Sequence, residues 1–155
     1  PAKVHGPSAE LAILINGAKE NLANSLKIST AEIEIVSDLN LGFHLALSGL
    51  LNRNSKLIHS AVDRKDIFAI ARSHQINGGE VQVLESNLSG KIDYSDIKPA
   101  AQNVVVWQSC NRETGVLQSP IGSISKITNS KTLLFADMTS ASIGAELPAN
   151  WSTAL

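Results

Sequence analysis

With one cysteine, Cys110, in 155 residues, the chain can build neither an internal disulfide framework nor a multi-cysteine zinc site. Aromatic residues make up only 4% of it, so a core must be assembled from Ile, Leu, Val and Ala. Neither sign of charge dominates: 13 Lys and Arg face 14 Asp and Glu, for a formal net charge of −1, and basic residues are nowhere clustered. That excludes the electrostatic footprint of a nucleic-acid or anionic-membrane binder. No apolar run is long enough to span a bilayer. The opening "PAKVHGPSAE" lacks the hydrophobic core of a signal peptide, so the expected setting is reducing and cytoplasmic. Also missing are a Gly-x-Ser-x-Gly elbow, a Walker-type loop and a Gly-x-Gly-x-x-Gly turn after a strand. His5, His44 and His74 show no metal-ligand spacing.

What is present is a globular composition, 43% hydrophobic and 17% charged, in which helical and extended patterns alternate. "SAELAILINGAKENLANSL" repeats apolar residues at helical spacing, through Leu11, Leu14, Ile15, Ala18, Leu22 and Leu26. "STAEIEIVSD" follows as a β-branched run, with Ser29 and Glu32 at capping-box spacing before it. "NLGFHLALSGLL" reads as a buried helix and "KLIHS" as a strand. "DRKDIFAIARSHQINGG" reads as an amphipathic helix capped by Asp63 and stopped by Gly78–Gly79. Further strands are expected at "EVQVLES", "NVVVWQS" and "KTLLFAD", a turn at "GKIDYSDIKP", and a short helix at "SPIGSISKIT". Strands separated by helices predict an α/β fold, three-layer αβα, with a mostly parallel sheet. The ending "GAELPANWSTAL" shows no closing element.

In open α/β sheets functional groups gather just past the carboxyl ends of strands. That criterion selects the Ser37–Gly42 turn "SDLNLG", His59 in "KLIHSAVD", Asn111 and Glu113 in "CNRETG", and Asp137 in "FADMTS". Each has a plain alternative. Asp137 can cap a following helix, His59 can be a satisfied histidine at a strand end, and Asn111 can be turn chemistry. Ser37 and Asn40 can be ordinary cap residues, and Cys110 a small buried hydrophobe.

The order of these stretches resembles the class V aminotransferase family of pyridoxal-phosphate (PLP) enzymes, fold type I, and most of all the cysteine desulfurases. The resemblance runs from about His5 to Pro148, through "HG", "EIEIVSDLNLGFHLALSG", "IHSAV", "NRETGV" with "LQSPI", and "FADMTSASIG". It implies PLP as cofactor, with Asp137 on the pyridine nitrogen and His59 stacked on the ring and moving protons. It places Asn111 beside cofactor and substrate, Ser140 near the ring, and Asp38, Leu39 and Asn40 in the phosphate-binding turn. The implied substrate is a small amino acid: sulfur would leave L-cysteine and L-alanine be released. A homodimer is implied too.

Departures from the family pattern are specific. Asp38 and Asn40 stand where relatives carry Gly and Thr, Ser109 where desulfurases often have His, and Ser140 where a Gln is expected, with "TSASIG" one residue longer. No lysine from Lys3 to Lys131 matches the Schiff-base position, which such enzymes place after a stretch like "LPANW". The resemblance therefore implies that residues 1–155 are part of a large, cofactor-binding domain, without the Schiff-base segment and C-terminal small domain, and inactive alone. Two readings stay open beside it: a class V aminotransferase or β-lyase with another substrate, and a non-catalytic α/β binding module.

Overall fold

The computed structural model describes residues 6–98, 100–118, 131–141 and 151–155. Two compact units divide the chain, Pro1–Ser37 and Asp38–Leu155. In the first, the helical spacing of apolar residues forms α1 (Gly6–Leu26). Lys27 ends it in the left-handed region at φ 57°, and the Ile28 N–H donates back to the Ala23 carbonyl at 3.1 Å, a common way to satisfy a last-turn carbonyl. The capping box forms as the spacing predicts: Ser29 Oγ accepts from the Ala31 N–H, and Glu32 accepts from the Ser29 N–H at 2.7 Å. It caps only a short 3-10 turn, Thr30–Glu32. The strand expected over "EIEIV" does not form. Residues 33–36 pair with no strand among the described residues, and Ile35 is 53% exposed. Without a neighbour to complete its ladder, a β-branched run gains nothing from its propensity.

The second unit begins with α2 (Leu39–Leu50), followed by β1 (Ser55–Ser60), α3 (Lys65–Ile76) and β2 (Glu80–Leu84). Next come β3 (Gln102–Gln108), β4 (Thr132–Asp137) and β5 (Thr153–Ala154). The strands form one parallel sheet in the order β2-β1-β3-β4-β5. This is the α/β fold with a parallel sheet that the alternation predicts. β5 is an addition: two residues of the ending that looked unstructured pair with Phe135 and Ala136. The helix expected at "SPIGSISKIT" and the extra residue of "TSASIG" lie outside the described residues.

Both faces of the sheet are covered, which is why its central strands read as unbroken apolar runs. Val104 and Val106 point with Leu57 and Phe135 toward Phe43 and Leu47 of α2 and Ile67, Ile70 and Ala71 of α3. Val105 and Trp107 point the other way, with Ile58, Leu134 and Ala136, onto Ile92 and Tyr94. α3 stops where expected, at Gly78 with φ +88°. A Cβ on Gly79 would run into the His74 ring, whose Nε2 bonds the Ser55 carbonyl at 2.9 Å. Asp63 does not cap α3. Arg64 occupies that position and no side chain bonds the first turn.

After β1 the chain goes to one side of the sheet, and β3 and β4 continue on the other. The order thus reverses between β1 and β3, and such a switch point opens a crevice beyond the strand ends where ligands bind.

Candidate functional site

A cavity of about 660 Å³ lies at that switch point, lined by Ala61–Asp66 after β1, by Gln108 and Cys110–Thr114 at β3, and by Asp137 and Ser140 at β4. The residues between β1 and α3 turn back over the strand end. The Ser60 N–H donates to Asp63 Oδ2 at 2.6 Å, so the carboxyl that could have capped α3 is held against the sheet instead. Asp63 Oδ1 accepts from Gln108 Nε2 at 2.8 Å. The Asp63 side chain is only 4% exposed. Loss of solvent pushes its pKa up to about 7, the nearby Asp137 charge adds to the rise, and the hydrogen bonds from Ser60 oppose it.

Asn111 ties the β3 loop to the β1 loop. Its Nδ2 donates to the Val62 carbonyl at 2.8 Å and to Gln108 Oε1 at 3.3 Å. Its Oδ1 accepts from the Glu113 and Thr114 N–H groups and from the Thr114 hydroxyl. Asn111 therefore lines the cavity as the organiser of its turn, and the turn-chemistry alternative describes it.

The β3–β4 register sets Gln108 beside Asp137. Asp137 is 7% exposed, and its Oδ1 accepts from the Thr139 N–H at 2.9 Å and the Thr139 hydroxyl at 2.5 Å. Its Oδ2 has no hydrogen-bond donor among the described residues, and Asp137 lines the cavity. Thr139 Oγ1 in turn accepts from Arg64 Nη1 at 3.3 Å. The Arg64 guanidinium lies over the Phe43 ring, 4.8 Å from its centroid, and its buried Nε has no hydrogen-bond partner.

Of the residues the sequence singles out, Asn111, Glu113, Asp137 and Ser140 come together around this cavity. Asp38, Leu39 and Asn40 do not line it. Asp38 is the N-cap of α2, its Oδ1 accepting from the Leu41 N–H at 2.8 Å. His59 is not among the residues that line it. β1 runs on through Ser60, so His59 is an in-strand residue, 1% exposed, with its ring edge-on to Phe68 at 4.7 Å. Its Nδ1 bonds the Ser60 carbonyl at 3.0 Å, and burial lowers its pKa. Cys110 is half-buried rather than buried and lines the cavity. Asp63, Arg64 and Gln108 are the site residues that sequence reasoning missed, although the strand-end criterion pointed at their loop.

No protein-family model matches the chain. It is 29% identical over 145 residues to the cysteine desulfurase IscS of Histophilus somni, a match that takes in 89% of this chain and 35% of that protein. Its structure superposes on a NifS-like protein with a TM-score of 0.72 at 19% identity, covering 87% of this chain and 40% of that one. A more distant neighbour is a C-DES mutant with glycine covalently linked to its PLP cofactor, at a TM-score of 0.66 and 12% identity, covering 86% of this chain and 38% of that one. The chain thus spans about a third of the length of the curated relatives it matches. It is similar in sequence to cysteine desulfurases and has the α/β fold, with a parallel sheet, of the NifS-like proteins over that portion.

Proposed function

We propose that this chain is part of the large domain of a PLP-dependent enzyme of the cysteine desulfurase kind, and that the cavity at the β1/β3 switch point receives the cofactor. The observation that carries the reading is Asp137: a nearly buried carboxylate ends a strand inside the sheet, lines a cavity, and has one oxygen without a hydrogen-bond donor among the described residues, in a chain similar to cysteine desulfurases. The residues present fit the ring end of such a cofactor. When bound, PLP supplies an electron sink for breaking bonds at an amino acid. Asp137 Oδ2 would hold a proton on the pyridine nitrogen, since an adjacent carboxylate favours the cationic form. Thr139 fixes that carboxylate through Oδ1 and leaves Oδ2 for the ligand. Asn111 and Gln108 fix the opposite wall, and Asp63 can exchange a proton near neutral pH. The parent reaction would pass the sulfur of L-cysteine to an enzyme thiol, leaving a persulfide there, and release L-alanine.

The homodimer and the cytoplasmic setting implied by the resemblance belong to the same proposal. The exposed Leu11, Leu14 and Leu22 of α1 support a dimer. Because no lysine of the chain matches the covalent attachment position, the test is binding rather than turnover. Calorimetric titration with PLP should show saturable one-to-one binding that Asp137→Ala weakens roughly tenfold or more. No binding, or binding indifferent to Asp137→Ala, contradicts the proposal.

A further inference from the structure

The resemblance puts a phosphate at the start of α2, but that helix end already carries a carboxylate. Asp38 caps it with its own carboxylate, bonded to the Leu41 N–H at 2.8 Å, and a second anion there would meet a like charge. An anionic group in the cavity also has to contend with Asp63, Asp66, Glu113 and Asp137, all of which line it. It needs a cation. Three line the cavity, Arg64, Lys65 and Arg112, and of these Lys65 and Arg112 are exposed whereas Arg64 is not.

Arg64 is also the one that is held in place. Thr139 Oγ1 accepts from its Nη1 at 3.3 Å, and Phe43 lies beneath the guanidinium. Its bonding capacity is nonetheless incomplete. Nε is buried without a hydrogen-bond partner, and at 3.7 Å it forms an ion pair with Asp66 Oδ2 without a hydrogen bond. Nη2 has no partner among the described residues. A planar fork with donors to spare, fixed at the wall of a cavity, suits the oxygens of a phosphate monoester.

We propose that Arg64, at the start of α3, anchors the phosphate of the ligand taken by this cavity, in place of the Ser37–Asn40 turn. The proposal rests on the cofactor reading above and moves the anion-binding role from α2 to the loop after β1. The probes are pyridoxine 5′-phosphate and pyridoxine, which lack the aldehyde and so cannot react with surface lysines. Titrated calorimetrically, the parent chain should bind the phosphate ester more tightly than pyridoxine. Arg64→Met should lower affinity for the ester roughly 10- to 100-fold and that for pyridoxine by several-fold less, the smaller loss passing through Thr139 and Asp137. Arg64→Lys should recover part of the loss, and circular dichroism and thermal melts of both variants establish that they fold.

Equal losses for both probes would place Arg64 against the ring and overturn the proposal. So would a silent Arg64→Met accompanied by an Asp38→Ala variant that binds the ester about tenfold more tightly, since the phosphate would then sit at α2. Failure of the parent chain to bind either probe would remove the cofactor reading together with this one. Ester binding that ignores Arg64 removes only this one.

Discussion

Replacing Asp63 by Asn should change how stability depends on pH in a direction fixed by the carboxyl's burial. Asp63 rises from an ordinary 3.8 to about 7 in the folded chain. Below pH 3.8 the carboxyl is protonated in both states. Between 3.8 and 7 the folded state keeps a proton that the unfolded chain has released, so stability falls as pH rises through that window and the loss is complete above 7. A difference of about 3 units corresponds to about 4 kcal/mol over the whole window, and about 3 kcal/mol of it lies between pH 5 and 8. That is a large share of the 5–15 kcal/mol typical of a domain. His59 works in the opposite sense. Its pKa is lowered from 6.5, so its contribution grows as pH climbs toward 6.5; its Nδ1 lies 4.0 Å from Asp63 Oδ2, so comparing parent with Asp63→Asn subtracts only the part of it that does not depend on Asp63. The altered hydrogen bond to Gln108 costs the variant a pH-independent amount. Urea unfolding at pH 5, 6, 7 and 8 is the assay. With an m-value of about 2 kcal/mol/M, the parent's midpoint should fall relative to the variant's by roughly 1–2 M from pH 5 to 8. A parent-minus-variant difference that stays flat across this range would refute the assignment of a raised, buried carboxyl to Asp63.

Two further substitutions probe the frame around the site. Phe43→Ala removes a fully buried ring packed on Phe135 at 5.6 Å and beneath Arg64, and should cost about 3–5 kcal/mol in denaturant unfolding; a loss under 1 kcal/mol would show that this face of the core is not packed as described. Gly79→Ala puts a methyl into the His74 ring, so His74 must give up its bond to the Ser55 carbonyl, and a melting temperature lowered by several degrees is expected. Pairing it with His74→Ala should relieve the clash.

The sheet was legible because its signals are local and agree with one another. β1, β3 and β4 are short apolar runs bounded by turn residues, and α2 and α3 carry helical spacing between them. β5 escaped notice because two residues hold no period, and "EIEIV" misled because propensity does not provide a neighbour. In the site, Asp137 could be found from an acid closing an apolar strand. The run "KLIHS" already places His59 inside β1; what the sequence does not show is that its imidazole packs edge-on against Phe68 in the interior. Asp63, Arg64 and Gln108 gain their places from the register of β3 on β4 and from a loop that folds back on the Ser60 N–H. No spacing in the sequence encodes either.

The account turns on the claim that Asp137 serves the ring nitrogen of a pyridine cofactor. Nitrogen NMR of ring-labelled pyridoxine 5′-phosphate, titrated with pH while bound, reads that nitrogen directly. In complex with the parent chain its pKa should rise by about 1–3 units above that of the free ligand, and with Asp137→Asn most of the rise should disappear. A ring nitrogen whose pKa is unchanged or lowered on binding, and the same in both proteins, would contradict the claim.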